Sequence, residues 1–397
     1  MRIKLSEENE KIKIQTLHCD KCNDWLKLEY KKFNKNIEGI QIFIPDMPML
    51  TCSNCREEYE TDWAKRIFIP WIIEDTKKKG KDTFNSEMKK ASQRRYDICS
   101  NLNFKYDAND CKCIPGLMSG FTKEGFFTPV FFNRKVLHKY LSFDEYRVDI
   151  AGNTYGTIFF PNDYYLSYGI NRNGKMFCWL GDIEENVPEN ERMYLLSENI
   201  ESDHDVASEF YAGQLEAEFA DYSDETKLLN ERSSFDQFWN DYYSSKIFRY
   251  EKNIYDILED LVRPVNWNKK GVMHVFNSLN KICIESMCRD SIIDAIKKKE
   301  LDFDAKNTRA MKLIEKLMEV THPDSDAKEI MTPFFVLYDF RLVLDHDYTK
   351  EEEEKTLSFC YDRLGIIRDY KNFEKLYDKL LEELTGSYSK IINTLSS

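Results

Sequence analysis

A chain of 397 residues is too long for one ordinary core, and its 14% aromatic content supplies large apolar side chains for two or three domains. The net charge of −13 excludes a surface that holds nucleic acid everywhere, because phosphate binding needs locally dense Lys and Arg. No run of 18 apolar residues occurs and Met1–Glu8 lacks an apolar signal core, so the sequence predicts no membrane association and a cytoplasmic location.

The first element is a pair of Cys-x-x-Cys knuckles, Cys19/Cys22 and Cys52/Cys55. Four thiolates in one short segment suit tetrahedral zinc, and four protein ligands close the metal to substrate, so the sequence predicts a structural Zn2+ in a zinc ribbon over residues 1–62. The 29 residues between the knuckles include the strand-type run Ile40–Ile44, which can carry the chain across and back. His18, beside Cys19, is an alternative ligand or an outer neighbour of the site. Eleven cysteines, an odd number, fit a reducing compartment better than a disulfide framework.

Residues 63–115 read as a basic linker or helical segment. From Lys65 to Arg95 ten basic residues face four acidic ones, a local charge of +6. Lys77, Lys78, Lys79, Lys81, Arg94 and Arg95 are its candidate nucleic-acid contacts, against the alternative of a solvated helix face. Cys99, Cys111 and Cys113 lack a matching fourth cysteine and read as buried thiols, with a second zinc site as the lesser alternative.

Residues 116–224 change to short aromatic runs broken by turns: Phe126–Phe132, Tyr155–Phe160, Tyr164–Ile170 and Met176–Leu180. These predict strands of a small central α/β or mostly β domain, with a hairpin at Asn171-Arg172-Asn173-Gly174 and a helix beginning near Glu209. The run Glu198–Asp205 sets carboxylates around His204 and reads either as a metal or acid–base site or as an acidic loop capping the next helix; the loop is favoured because no spaced partner is visible.

Residues 225–397 are helical by periodicity. Expected helices are 235–248, 254–262, 272–299, 305–320, 333–345, 351–364 and 373–395. Thr332-Pro333 reads as a helix start, Thr349 with Glu352 as a capping box, and Leu376, Leu380, Leu384 and Tyr388 as the buried face of the last helix.

Within this region Arg341 is followed, after four residues, by His346. The motif and the helical setting resemble the HEPN superfamily, whose members are dimerising helical bundles and in many cases metal-independent endoribonucleases of toxin and abortive-infection systems. The resemblance covers roughly the last 165 residues and implies Arg341 and His346 as catalytic residues, RNA as substrate, a homodimer or higher homo-oligomer, and a phage-derived trigger or operon partner. On an ideal helix the two residues stand about 140° apart, so either the helix ends before His346 or a two-fold mate completes the site. An i,i+4 ion pair of Arg341 with Asp345, with His346 merely ending the helix, is the alternative. The fold class expected is therefore α+β multidomain: a zinc ribbon, a small central domain and an all-α HEPN-like bundle. The function expected is metal-independent RNA cleavage in anti-phage defence or growth arrest. The alternative is a non-enzymatic zinc-ribbon sensor or scaffold binding nucleic acid or protein through a dimerising bundle.

Overall fold

A computed structural model describes residues 15–86, 94–118, 120, 122–249, 261–299, 308–346 and 348–396. Two compact units divide the chain, Met1–Asp221 and Tyr222–Ser397.

In the first unit, β1 (Leu26–Ile37) and β2 (Ile40–Cys52) form a long antiparallel hairpin whose register closes at Ile37 and Ile40. The two residues between, Glu38 and Gly39, both have positive φ (49° and 81°), as a tight turn matching the twist of the strands requires. Along β2, Ile40, Ile42 and Ile44 alternate inward and are buried. The short β3 (Glu58–Glu60) pairs antiparallel with Met49–Thr51, and β4 (Thr83–Asn85) runs parallel to Gln41–Phe43. A π-turn at Ala64–Phe68 leads without a break into α1 (Ile69–Lys78), and Pro70 in its first turn offers no N–H to the preceding turn. Ile69, Ile72 and Ile73 of α1 pack on Phe33, Ile42 and Ile44.

A second, six-stranded antiparallel sheet has the order β10-β5-β9-β8-β7-β6. Its strands are β5 (Pro129–Phe132), β6 (Arg147–Gly152), β7 (Tyr155–Phe159), β8 (Tyr165–Ile170), β9 (Met176–Trp179) and β10 (Asn199–Ile200). The predicted hairpin joins β8 to β9, with Gly174 at φ 71° and the Asn171 side chain accepting the N–H groups of Asn173 and Lys175. Only Pro129–Phe132 of the predicted 126–132 strand is extended, because Gly125 at φ 85° opens turns through Phe127. The short helices of this unit are α2 (Ala108–Cys113), α3 (Leu137–Ser142), α4 (Leu180–Asn186), α5 (Glu189–Ser197) and α6 (Glu209–Tyr211), the last continuing as a π-turn to Glu216. Leu17, Cys19, Leu26, Leu28, Leu50 and Cys52 share one apolar cluster with Phe131, Phe177, Trp179 and Phe210, so the cysteine segment and the six-stranded sheet have a common core.

The second unit is helical in its described residues: α7 (Asp224–Tyr243), α8 (Lys269–Asn280), α9 (Arg289–Lys298), α10 (Ala310–Thr321), α11 (Ala327–Asp345), α12 (Lys350–Leu364) and α13 (Glu374–Ser396). The expected helix 254–262 lies almost entirely outside the described residues. The expected helix 272–299 is two. After a π-turn at Lys281–Glu285, Arg232 donates to the Ile282 carbonyl (2.9 Å) and the Ser286 hydroxyl (3.2 Å), and Ser286 and Cys288 bond instead to the backbone at Arg249 and Ile247. A tertiary bridge thus captures groups that a continuous helix would use. Thr332-Pro333 does not start a helix. α11 begins at Ala327, since Ala327, Ile330, Met331 and Phe334 bury one face together, and the Thr332 hydroxyl bonds back to the Lys328 carbonyl at 2.8 Å. The Thr349/Glu352 capping box is formed, and Leu376, Leu380, Leu384 and Tyr388 are wholly buried along α13. Among the described residues no helix is long and apolar enough to cross a membrane.

Candidate functional sites

The strongest local geometry is at the two knuckles. The sulfurs of Cys19, Cys22, Cys52 and Cys55 all lie within 4.8 Å of one another, with Cys19–Cys55 at 3.5 Å and Cys22–Cys52 at 3.4 Å. A regular tetrahedron of thiolates around zinc has sulfur–sulfur edges of about 3.8 Å, so the four can hold one ion with small adjustment. The loops are built alike. In each, the residue after the second cysteine has left-handed backbone, Asn23 at φ 58° and Arg56 at φ 65°, and its N–H returns to the carbonyl of the first cysteine. Those bonds, Asn23 to Cys19 at 2.8 Å and Arg56 to Cys52 at 3.1 Å, turn both sulfurs of a knuckle to the same side.

Burial pushes the Cys19 thiol up, but the Tyr59 hydroxyl at 3.3 Å and the backbone N–H groups of Lys21 and Cys22 outweigh it and bring it down to about 6. Cys52 is lowered too, where backbone N–H groups of Cys55 and Asn54 overcome burial. Cys55 rises to about 12: the Glu57 backbone N–H lowers it, and this is outweighed by burial and by the three neighbouring sulfurs. Thiolate at Cys19 and Cys52 is the form a metal takes. His18 stands apart from this group; its Nε2 lies 3.2 Å from Glu216 Oε2 and its ring packs 4.2 Å from Trp25. Cys99, Cys111 and Cys113 are buried and join no metal-type cluster among the described residues.

Five of the six candidate nucleic-acid contacts are partnered by acids or rings. Lys77 pairs with Glu38 (2.6 Å), Lys78 with Glu74 (2.5 Å), Lys79 with Asp75 (2.6 Å) and Arg94 with Glu124 (2.6 Å). The Arg95 guanidinium sits 4.7 Å from the Tyr106 ring centre, and Lys81 has no ion-pair partner among the described residues. Lys89 and Lys90 lie outside them.

In the helical unit α11 stops at Asp345, and His346 has extended backbone (φ −111°, ψ 147°) with an exposed side chain. Arg341, part-exposed, directs Nε to Asp345 Oδ2 at 2.8 Å and to Asn277 Oδ1 at 3.2 Å, with Glu285 3.9 Å from its Nη2. The i,i+4 ion pair is therefore formed, and Arg341 is held on the bundle surface by two carboxylates and an amide.

Sequence reasoning missed the partners of His204. Its Nδ1 lies 2.7 Å from Asp110 Oδ1, and the Ser202 hydroxyl donates to Asp110 Oδ2 at 2.6 Å. Asp107, the N-cap of α2, accepts from the Tyr30 hydroxyl (2.8 Å) and the Asn109 N–H (2.9 Å). Burial raises Asp110, which is fully enclosed; His204 is lowered by burial but raised overall by Asp110 and Asp107. The flanking acids face the other way: Asp203 accepts from Asn171 and Asn173, and Asp205 from Arg172 and the Ala207 N–H. The only sequence signal was Asp107-x-x-Asp110 opening a short helix.

No protein-family model, no curated protein and no solved structure matches this chain.

Proposed function

We propose that the helical unit is a metal-independent endoribonuclease of the HEPN type, acting in defence or growth arrest as a homo-oligomer, and that the four cysteines hold a structural zinc. The observation that carries the enzymatic reading is the end of α11 at Asp345: His346, as its C-cap, has extended backbone and an exposed side chain while its N–H still bonds to the Leu342 carbonyl. His346 would take the proton of a ribose 2′-OH as that oxygen bonds to phosphorus, and the bond to the 5′-oxygen breaks as that oxygen receives a proton. Arg341 would fork onto the phosphate oxygens and offset their developing charge, exchanging Asp345 for the substrate. The product is a 2′,3′-cyclic phosphate.

The rival reading, a non-enzymatic sensor or scaffold, is favoured by the Arg341–Asp345 pair, which gives the guanidinium an ion-pair partner within its own helix. Incubating the purified chain with RNA in EDTA separates them. Cleavage lost in both Arg341→Ala and His346→Ala, with the bundle folded, supports the enzyme; equal cleavage by either variant and the parent overturns it.

A further inference from the structure

We infer that Asp107, Asp110 and His204 form a second metal site in the N-terminal unit, taking a divalent cation of the manganese–zinc class. One donor atom from each lies within 4.8 Å of the others, and the three come from two segments nearly a hundred residues apart. Two carboxylates and an imidazole make an oxygen-rich set with one nitrogen, which suits Mn2+ or Fe2+ and also accepts Zn2+.

A simple buried ion pair needs one carboxylate beside the histidine. Here two converge, Asp110 with no exposed surface and Asp107 nearly buried. Two like charges in so small a buried volume are costly unless a cation lies between them, a place open to a metal ion or to a protonated His204. Each carboxylate is also oriented by outer donors, Asp110 by Ser202 and Asp107 by Tyr30 and Asn109. Hydrogen bonds of this kind orient the ligands of metal centres.

The backbone supports the same assignment. His204 has φ 62°, a left-handed conformation that a side-chain-bearing residue keeps only where its surroundings impose it. The surroundings are the β8–β9 turn, onto which Asp203 and Asp205 clamp, so the imidazole is turned inward toward α2. The outcome is distinct from the ribonuclease proposal, which invokes no metal.

The test is a manganese count on the full chain dialysed against MnCl2, by elemental analysis and electron paramagnetic resonance. One bound manganese is expected in the parent, none in His204→Gln or Asp107→Asn. These side chains are less enclosed than Asp110, and retention of the ion at the four cysteines reports that the shared core is still folded. A parent that binds no manganese, or folded variants that keep it, overturns the assignment.

Discussion

Asn23 and Arg56 occupy the same backbone position in two separate loops: each follows a Cys-x-x-Cys pair, each has φ near 60°, and each returns its N–H to the first cysteine's carbonyl. Left-handed backbone is tolerated by Asn and disfavoured for Arg. Arg56→Gly is therefore expected to stabilise the N-terminal unit by about 1 kcal/mol and Arg56→Val to destabilise it by at least as much. Urea unfolding followed at the tryptophans of that unit checks both; a loss on Gly substitution contradicts the strain argument.

A bound ion at the four thiols contributes folding free energy. Cys52→Ser should lose it and destabilise the N-terminal unit, while the helical unit unfolds at its original midpoint. Metal analysis of protein purified without chelator should give at least one equivalent of zinc, with one equivalent lost in Cys52→Ser; less than about half an equivalent in the parent removes the zinc assignment.

Asp182, in the first turn of α4, is raised to about 6 by burial and by the nearby Glu185 charge. The folded state thus binds a proton more tightly than the unfolded chain, so this group costs stability above pH 6. The cost shrinks as pH falls toward the ordinary carboxyl value and is absent below it. Asp182→Asn should stabilise at pH 7 by on the order of 1–3 kcal/mol and be nearly neutral below about pH 4. Thermal melts of both proteins across pH 4–8 read the difference; equal melting temperatures at pH 7 would count against it.

If Arg341 binds phosphate, Asp345 competes with the substrate. Asp345→Asn should then raise kcat/KM for RNA cleavage several-fold at low salt, with stability changed by no more than about 1 kcal/mol, since a part-exposed pair contributes little. A variant less active than the parent would mean that Asp345 positions Arg341 instead.

Lys77, Lys78 and Lys79, at the end of α1, make exposed pairs, which phosphate can displace at small cost. Lys77→Glu, Lys78→Glu and Lys79→Glu together should weaken RNA binding and flatten its dependence on salt by about one unit of slope for each phosphate no longer neutralised. An unchanged slope returns these lysines to the solvated face.

What the sequence made legible was local chemistry. The knuckles, the Asn171–Gly174 turn and the Thr349/Glu352 box each depend on residues a few positions apart, and each is present. The His204 site was not legible, because Asp110 reaches it from 94 residues away and no spacing encodes that meeting. The continuous 272–299 helix failed for the same reason. Its apolar period is genuine, but Arg232, from another helix, takes the carbonyl on which continuity depends. At Thr332-Pro333 a correct local preference lost to four apolar residues upstream and downstream that bury together.

The Arg172 guanidinium spans Asp205 at 3.0 Å and the Trp25 carbonyl at 3.4 Å, and so joins the loop of His204 to the residue just before the first hairpin. Free energy carried across such a link is symmetric. If an ion that orders the thiol knuckles also tightens the His204 loop, an ion taken at His204 must tighten the knuckles by the same factor. With metal at both sites, removing it from the cysteines would weaken the hold of the carboxylates, and the reverse.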